Sequence, residues 1–315
     1  MESPRRILVI VNPAAGQKDG ESIVESLRKA LDASGVDYEL RETQGEGDAR
    51  KWAKESDHDR VLVSGGDGTV MEAMSGLIEN DRDIPLAQLP TGTANLLARA
   101  LALPIPMDEA LDVALNTGVA VPMDVGHLID HDRYFALMAG AGWDADLIKD
   151  ADRDLKNRLG FFAYVLTGLK NLFSLKRSRI RLEIDGQARR FRAHTVIAIN
   201  IGEIYGTGIA LGSKLSPHDG KLDLAVVSPN NILGIFKVLF RLLTRRYTGA
   251  PDLQYFAAER IRVEATPPLN LEIDGEPIGK TPFEAVVIPG GAHLIVSREY
   301  AEAKAIGPED SPVQQ

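Results

Sequence analysis

Residues 65–69 read Gly65-Gly66-Asp67-Gly68-Thr69 and directly follow the apolar run at 61–64. Glycines let the backbone approach phosphate oxygens, and a helix that begins near Thr69 would direct its free N–H groups and positive dipole end at the same phosphates. Asp67 is negatively charged and does not bind phosphate itself, so its carboxylate suits the Mg²⁺ that accompanies ATP, or a water on that ion. For this loop alone, a glycine-rich turn that merely joins a strand to a helix is the alternative.

Short β-branched runs and helix-like stretches alternate on both sides of this loop. The runs lie at 7–11, 37–42, 61–64 and 84–89, and the helix-like stretches include 21–33 and 48–55. This alternation is typical of parallel strands joined by helices. It predicts a doubly wound α/β domain that binds a nucleotide and occupies residues 1–122.

After residue 122 the pattern changes to closely spaced strand-like runs. They lie at 134–139, 179–184, 192–201, 222–227, 260–264, 269–273 and 293–296. Two helix-like segments, at 155–175 and 232–246, interrupt them. We therefore expect an antiparallel or mixed, sandwich-like β domain over residues 123–300. The polar tail at 301–315 is expected to fray, and its packing back onto the first domain is left open.

Three of the strand-like runs in the first domain end in small, polar turns. The turns are Asn12-Pro13-Ala14-Ala15-Gly16, Gly65-Gly66-Asp67-Gly68-Thr69 and Pro90-Thr91-Gly92-Thr93-Ala94-Asn95. Ligands of open parallel sheets bind outside the carboxyl ends of the strands, so we expect the three turns to converge on one nucleotide site. The first turn has neither the Walker A spacing nor the dinucleotide fingerprint Gly-x-Gly-x-x-Gly.

In combination, these three turns resemble the catalytic domain of the diacylglycerol kinase family, which also includes sphingosine and ceramide kinases. The resemblance extends over nearly the whole chain. NAD kinases share Gly-Gly-Asp-Gly and the architecture of the first domain, but the Leu-Pro-x-Gly-Thr-x-Asn element at 89–95 favours the lipid kinases. The resemblance implies transfer of a phosphoryl group from Mg-ATP to a lipid hydroxyl. Diacylglycerol is the default acceptor, and a sphingoid base, ceramide or another membrane alcohol stays open.

The same resemblance implies a set of nucleotide contacts. They are Asn12, Pro13, Ala14, Ala15, Gly16, Thr43, Gly65, Gly66, Asp67, Gly68, Thr69, Glu72, Thr93 and Asn95. One departure concerns Gln17, which stands where a lysine often follows the glycine in the family. Lys18 is a candidate substitute, and a phosphate contact at this point is therefore open.

Two carboxylates flank a glycine near the C-terminus, in Asp274-Gly275-Glu276. A hairpin turn with solvated acids explains the pattern by itself. A lipid hydroxyl, however, needs a base that accepts its proton during transfer, and the family's Asp-Gly-Glu element falls on these residues. By this resemblance, Glu276 is the general base, Asp274 is its neighbour in the site and Asp67 is a third catalytic group. The reverse assignment of Glu276 and Asp274 stays open.

A second acidic turn is implied to hold Mg²⁺ through oxygen atoms. By resemblance, the ligands are the Asp219 carboxylate and the backbone carbonyls of Ser216 and Lys221, with Asp124 as an outer-shell carboxylate. Oxygen ligands with retained waters suit Mg²⁺. Read from the residues alone, Asp219-Gly220 is a hairpin turn and Asp124 an ordinary hinge residue.

Composition excludes several classes of function. The net charge of -9 argues against nucleic-acid binding, and the absence of cysteine excludes disulfides and thiolate chemistry. No apolar run reaches the roughly 20 residues that cross a bilayer, so a cytoplasmic protein is expected. A homodimer and a non-catalytic nucleotide-binding regulator stay open.

Two amphipathic segments with basic ends suggest how such a protein would reach a lipid. They lie at 157–176 and 232–246, and the second carries Lys237, Arg241, Arg245 and Arg246 beside its apolar residues. Apolar and basic side chains together favour peripheral contact with anionic membranes. The alternative is that both helices cover the core of the β domain.

Overall fold

The computed structural model describes residues 6–15, 20–142, 177–204, 209–212, 215–244 and 251–304. They form two compact units. The first unit contains the described residues up to Met123 together with those from Pro289 onward, and the second contains those from Asp124 to Ile288. The division thus falls at 123 and 289, whereas the sequence pattern placed it at 122 and 300.

The first unit is built on a parallel sheet. Its strands are β1 (Arg6–Val11), β2 (Asp37–Glu42), β3 (Arg60–Gly65) and β4 (Leu86–Pro90), in the spatial order β2-β1-β3-β4. Strands β1, β3 and β4 are almost entirely buried, as expected for a parallel sheet with helices on its faces. The chain passes from β1 to β2 on one side and then to β3 on the other. The sheet therefore has a topological switch point between β1 and β3.

Helices connect these strands. They are α1 (Gly20–Ser34), α2 (Asp48–Lys54), α3 (Asp67–Ile78), α4 (Leu96–Ala100) and α5 (Met107–Asp112), and α7 (Arg298–Ala303) follows the last strand. The predicted α/β class is confirmed. Because β4 is paired in parallel with the end of the last strand, through Leu86 and Leu294, the chain returns to the first unit after residue 288.

The second unit is an antiparallel sandwich. Between β5 (Val119–Leu128) and β18 (Phe283–Val296), its strands are β6 (Arg133–Phe135), β7 (Met138–Ala141), β8 (Ser178–Ile184), β9 (Gln187–Ala193), β10 (Thr195–Ile199), β11 (Glu203–Ile204), β12 (Ile209–Ala210), β13 (Leu222–Val227), β14 (Leu253–Ala258), β15 (Arg260–Thr266), β16 (Asn270–Ile273) and β17 (Glu276–Lys280). Helix α6 (Ile232–Leu243) lies between β13 and β14. The sandwich-like class is confirmed.

Two sheets enclose the core of this unit. One has the order β18-β15-β8-β9, and the other has the order β14-β13-β10-β7-β16-β17. Buried side chains of both sheets form one cluster, which includes Leu182, Val263, Val196, Leu224 and Leu271. Side chains along β8 alternate between buried and exposed positions, so one face of this strand packs on the core.

Three of the predicted strand-like runs differ from the observed strands, and β5, β11, β12, β14 and β17 lie outside the predicted runs. The run at 134–139 is divided into β6 and β7, and the run at 192–201 is divided into β9 and β10, with the two parts of each run in different sheets. Strand β18 is far longer than the predicted 293–296. It was missed because Pro289, Gly290 and Gly291 lie inside it, and these residues usually interrupt strands.

Gly76 sets the distance between α2 and α3. A Cβ at Gly76 would lie 2.1 Å from the carbonyl oxygen of Arg50 and 2.9 Å from the backbone nitrogen of Lys54. Alanine usually stabilises a helix interior by about 1 kcal/mol relative to glycine. We expect the opposite sign for Gly76→Ala, a loss of about 1–3 kcal/mol in free energy of unfolding, because backbone atoms of α2 would have to move.

Urea unfolding measures this effect, with Gly45→Ala as the control. Nothing lies within 4 Å of a Cβ at Gly45. A Gly76→Ala variant as stable as the parent would contradict the close packing of α2 on α3.

Candidate functional site

The turns after β1 and β3 are joined by a side-chain hydrogen bond. Asn12 Nδ2 donates to Thr69 Oγ1 over 2.9 Å, and the Ala14 N–H donates to Asn12 Oδ1 over 3.0 Å. Asn12 follows β1, and Thr69 lies in the first turn of α3. This bond therefore spans the switch point of the sheet, the place where open α/β sheets bind ligands.

The turns after β3 and β4 pack glycine against glycine. A Cβ at Gly92 would lie 2.4 Å from the Cα of Gly66, and a Cβ at Gly65 would lie 2.8 Å from the Cβ of Thr69. Gly92 is thus required by the contact of the two loops with each other, and Gly65 by the packing of Thr69 within its own loop. Gly68, by contrast, is exposed.

Asp67 holds the start of α4. Its Oδ2 accepts a hydrogen bond from the Leu96 N–H and its Oδ1 from the Leu97 N–H, each over 3.0 Å. A negative charge at a helix N-terminus is favourable, because the free N–H groups there carry partial positive charge. Asp67 therefore fixes the third turn to the glycine-rich loop, a role that the sequence pattern did not predict. Its predicted link to Mg²⁺ stays a prediction.

Asn95 stabilises the third turn through hydrogen bonds to the backbone of the same turn. It has a left-handed backbone conformation with φ 48°, and its Nδ2 donates to the carbonyls of Pro90 and Gly92. Its Oδ1 is buried and accepts no hydrogen bond from the described residues. Thr93 is exposed at the tip of this turn.

Thr43 and Glu72 lie beside the same sheet edge. The Thr43 N–H donates to the Val11 carbonyl over 2.8 Å, and Glu72 Oε2 accepts from the Gly47 N–H over 3.0 Å. Burial raises the pKa of Glu72, and the N–H groups of Gly47 and Ala49 partly offset this. Glu72 thus orders the residue before α2, which places a carboxylate near the loop after β2.

The predicted nucleotide contacts come together at this edge as far as the structure describes them. Asn12 to Ala15, Gly65 to Thr69, and Thr93 and Asn95 follow parallel strands β1, β3 and β4. Gly16, Gln17 and Lys18 lie outside the described residues. Among the described residues, no side chain caps the N-terminus of α3, so its backbone N–H groups suit the phosphates of a nucleotide.

In the second unit, Asp274 and Gly275 form the two-residue turn between β16 and β17. Their φ values are 47° and 89°, as a type I′ hairpin requires. The Asp274 carboxylate accepts hydrogen bonds from the N–H groups of Ala136, Leu137 and Met138 over 2.9–3.0 Å. These three bonds order the turn that divides β6 from β7.

Glu276 has a different environment from Asp274. It is exposed, and its Oε2 lies 3.3 Å from Nη2 of Arg133. Another Asp-Gly turn, Asp185-Gly186, reproduces the pattern of Asp274: its carboxylate accepts from the N–H groups of Glu259 and Arg260. The Asp274 bonds are therefore explained by the fold, and Glu276 is the more accessible carboxylate of the pair.

The predicted metal turn is ordered by Asp124. Asp124 is 3% exposed, its N–H donates to the Pro217 carbonyl, and its Oδ2 accepts from the Gly220 N–H, both over 2.7 Å. Asp219 is exposed and accepts from the Lys221 N–H over 3.0 Å. Where the structure describes side chains, no cluster of three or more acidic, histidine or cysteine residues could hold a metal. One carboxylate with turn carbonyls still fits a hydrated Mg²⁺.

Glu272 is a candidate that sequence reasoning missed. Burial raises its pKa to about 7. Burial, together with the charge of Asp219, raises the pKa of Asp223 to about 6. An acid between Leu271 and Ile273 has the ordinary alternation of a strand with one solvated face, so the sequence carries no signal for it.

Comparison with known proteins places this geometry in a family. The profile described as diacylglycerol kinase catalytic domain matches residues 6–128. The profile described as YegS C-terminal NAD kinase beta sandwich-like domain matches residues 138–296. A diacylglycerol kinase of Bacillus subtilis (strain 168) is 30% identical over 303 residues, which are 95% of this chain and 98% of that protein. The chain belongs to the diacylglycerol kinase catalytic family.

Other members of the family are similar to this chain over most of its length. A diacylglycerol kinase of Staphylococcus carnosus is 27% identical and aligns with 88% of this chain and 90% of its own length. A crystal structure of a diacylglycerol kinase from Bacillus anthracis has a TM-score of 0.77 and 26% identity, over 95% of this chain and 99% of that one. The resemblance drawn from the sequence is confirmed, and the chain is a lipid kinase. None of its described helices has the length and apolar character needed to cross a bilayer.

Asp67 makes the coupling of the loops testable. We expect Asp67→Ala to lower the free energy of unfolding by about 1–3 kcal/mol, because two N–H groups of α4 lose a charged acceptor. ATP binding should weaken as well, since the third turn is no longer fixed. Urea unfolding and titration calorimetry with ATP measure the two effects.

Asp67→Asn and Asp81→Ala are the matched controls. Asparagine retains one acceptor oxygen and should lose less stability than alanine. Asp81 is an exposed acid in the same unit, so its loss should change little. Parent-like stability of Asp67→Ala would contradict the structural role of this carboxylate.

Proposed function

We propose that the protein transfers the γ-phosphoryl group of Mg-ATP to the hydroxyl of a membrane lipid, with diacylglycerol as the acceptor. The observation that carries the proposal is the set of turns at the switch point, joined by the Asn12 to Thr69 hydrogen bond and the contact of Gly66 with Gly92. Turns of this kind, beside an uncapped helix N-terminus, suit the phosphates of ATP. Relatives named diacylglycerol kinase support the choice of acceptor.

The transfer needs a proton acceptor. The lipid hydroxyl oxygen forms a bond to the γ-phosphorus, the bond from that phosphorus to ADP breaks, and the hydroxyl proton passes to a carboxylate. Glu276 is proposed for this step, since the Asp274 carboxylate already accepts three backbone N–H groups while Glu276 is exposed. A positioned base contributes on the order of 10²–10⁴ in rate.

Mg²⁺ is proposed in two places. Asp67 is the candidate link to the ion that accompanies ATP. Asp219, with the carbonyls of Ser216 and Lys221, is the candidate for a second ion, and Asp124 orders that turn through Gly220. When bound with ATP, Mg²⁺ would neutralise charge that develops on the phosphate oxygens.

The assay for this function offers competing acceptors together. ATP labelled in its γ-phosphate is supplied with vesicles of diacylglycerol, ceramide or sphingosine, and with NAD. We expect the label in phosphorylated diacylglycerol, and a loss of at least about 100-fold in kcat for Glu276→Gln.

Other outcomes would give a different function. Label in NADP would favour an NAD kinase, and label in ceramide or sphingosine would change the acceptor. If none of the acceptors is labelled although the protein binds ATP, the result would favour a non-catalytic nucleotide-binding regulator.

Membrane contact is proposed for helix α6. Its Asn231 cap accepts from the Gly234 N–H, and Val238 is buried against Leu253. The opposite side is open, because Leu233, Phe236 and Phe240 are 58–59% exposed.

Lys237 lies among these exposed residues on the same side of the helix. An apolar stripe with a basic side chain fits an anionic bilayer surface. Arg245 and Arg246, and the other predicted helix at 157–176, lie outside the described residues.

We expect Phe236→Ser with Phe240→Ser and Lys237→Gln to reduce binding to vesicles of anionic lipid by at least about tenfold. The apolar contact is lost, and a basic residue near such a surface contributes about 1 kcal/mol. Vesicle sedimentation measures the binding, and activity on a short-chain, water-soluble diacylglycerol should survive.

Lys29→Gln is the control for charge. Lys29 is an exposed lysine on α1, in the first unit. Unchanged vesicle binding of the triple variant would exclude α6 as the docking surface, and an equal loss on the soluble acceptor would indicate damage to the fold.

A further inference from the structure

Glu272 lies on the outer face of the six-stranded sheet. Its neighbours Leu271 and Ile273 are buried in the core of the second unit, so Glu272 points to the opposite side of the strand. The side chain is partly buried, yet none of the described residues forms a hydrogen bond or an ion pair with it. A carboxyl on a sheet face without protein partners is a candidate group for binding a ligand.

Because Gly140 has no side chain, there is space beside Glu272. Gly140 is directly opposite on β7, and a Cβ there would lie 3.8 Å from Glu272 Oε1 and 4.0 Å from Cγ1 of Ile197. The carboxyl group therefore lies over Gly140. Beyond it the same face is apolar: Ile197, Ile199 and Ala225 pack together, with Met138, Leu211, Leu215 and Tyr255 against them.

Strands β7 and β10 carry no titratable side chain. On β13, Asp223 lies on the same face of the sheet as Glu272, opposite Ile199, and burial together with the charge of Asp219 raises its pKa to about 6. Glu272→Gln leaves Asp223 in place, so the comparison of parent and variant isolates Glu272. Strand β17 carries Glu276, which is exposed and paired with Arg133, and Lys280, which lies opposite Asn270. Burial raises the pKa of Glu272 to about 7, so a large share of this side chain is uncharged at neutral pH.

We propose that Glu272 binds the polar end of the lipid acceptor over Gly140 and thereby selects an uncharged lipid alcohol over a sphingoid base. The proposal rests on the lipid kinase function proposed above. An uncharged carboxyl donates a hydrogen bond, which matches an ester carbonyl of the lipid and leaves the hydroxyl proton to Glu276. A sphingoid ammonium would instead require the ionised form, which burial beside Ile197 disfavours.

Glu272→Gln and Glu272→Leu separate hydrogen bonding from charge. Glutamine keeps a hydrogen-bond donor and an acceptor without ionising. The KM of the Glu272→Gln variant for diacylglycerol should therefore stay within about threefold of the parent value at pH 6. Leucine removes both, and its KM should rise on the order of tenfold while kcat changes less. Glu183→Gln, the same substitution on the other sheet, is the control and should match the parent.

The pH dependence of KM is the decisive measurement. In the parent, KM for diacylglycerol should rise above pH 7 as Glu272 ionises, whereas in Glu272→Gln it should stay flat. A parent KM that does not change with pH, or a Glu272→Leu variant equal to the parent, would overturn the inference. A parent that phosphorylates sphingosine better than diacylglycerol, with the activity on sphingosine lost in Glu272→Gln, would also overturn the inference. A parent that phosphorylates no lipid would refute the proposed function itself, regardless of Glu272.

Thermal unfolding without lipid checks the protonation independently of activity. A raised pKa in the folded state means that folding favours the protonated acid. Its contribution to stability is full below the unfolded pKa near 4.5 and is lost as the pH rises through about 7. Glu272→Gln removes this dependence, so the difference in Tm between parent and variant should change between pH 4.5 and 7. Parallel curves would show that Glu272 is an ordinary ionised acid.

Discussion

Hydrogen bonds from backbone N–H groups to aspartate carboxylates hold the candidate functional segments of this protein in place. Asp67 accepts from α4, Asp124 from the turn at 217–220, and Asp274 from the turn between β6 and β7. Such charge-assisted bonds are shorter and stronger than neutral ones, and each contributes about 1.5–3 kcal/mol. Because turns lack a regular ladder of backbone partners, a carboxylate that replaces this ladder determines their shape.

This arrangement changes how the acidic residues of the chain are understood. Asp67, Asp124 and Asp274 are the side chains that family resemblance assigns to chemistry, and in the structure each one also binds backbone. The two roles are compatible, since an ionised carboxylate has about four lone-pair positions and two or three backbone bonds do not fill them. Loss of any of these carboxylates is therefore expected to affect structure as well as the chemistry proposed for it. A measured loss of activity then needs a parallel measurement of stability.

The first unit could be predicted from the sequence to a large extent. Its buried parallel strands are short apolar runs, and the loops that follow them carry the glycines, so the local sequence pattern marks both the strands and the candidate site. The divisions inside 134–139 and 192–201 could not be predicted in this way. The first depends on hydrogen bonds between Leu137 and Asp274, which are 137 residues apart along the chain. The sequence pattern also did not predict that Gly92 is required by its close contact with the backbone of Gly66.

The hairpin of β16 and β17 shows how different surroundings give three carboxyl groups different properties. Glu272 lies over Gly140 on an apolar face, Asp274 is surrounded by backbone N–H groups, and Glu276 is exposed beside Arg133. Burial without a partner favours the uncharged form of the Glu272 carboxyl and raises its pKa. One short hairpin therefore contains a group that orders the backbone, together with the groups proposed to bind the lipid and to accept its proton. Enzymes that divide acid and base work between carboxylates use the same physical principle, and here it follows from the position of each residue on β16, in the turn or on β17.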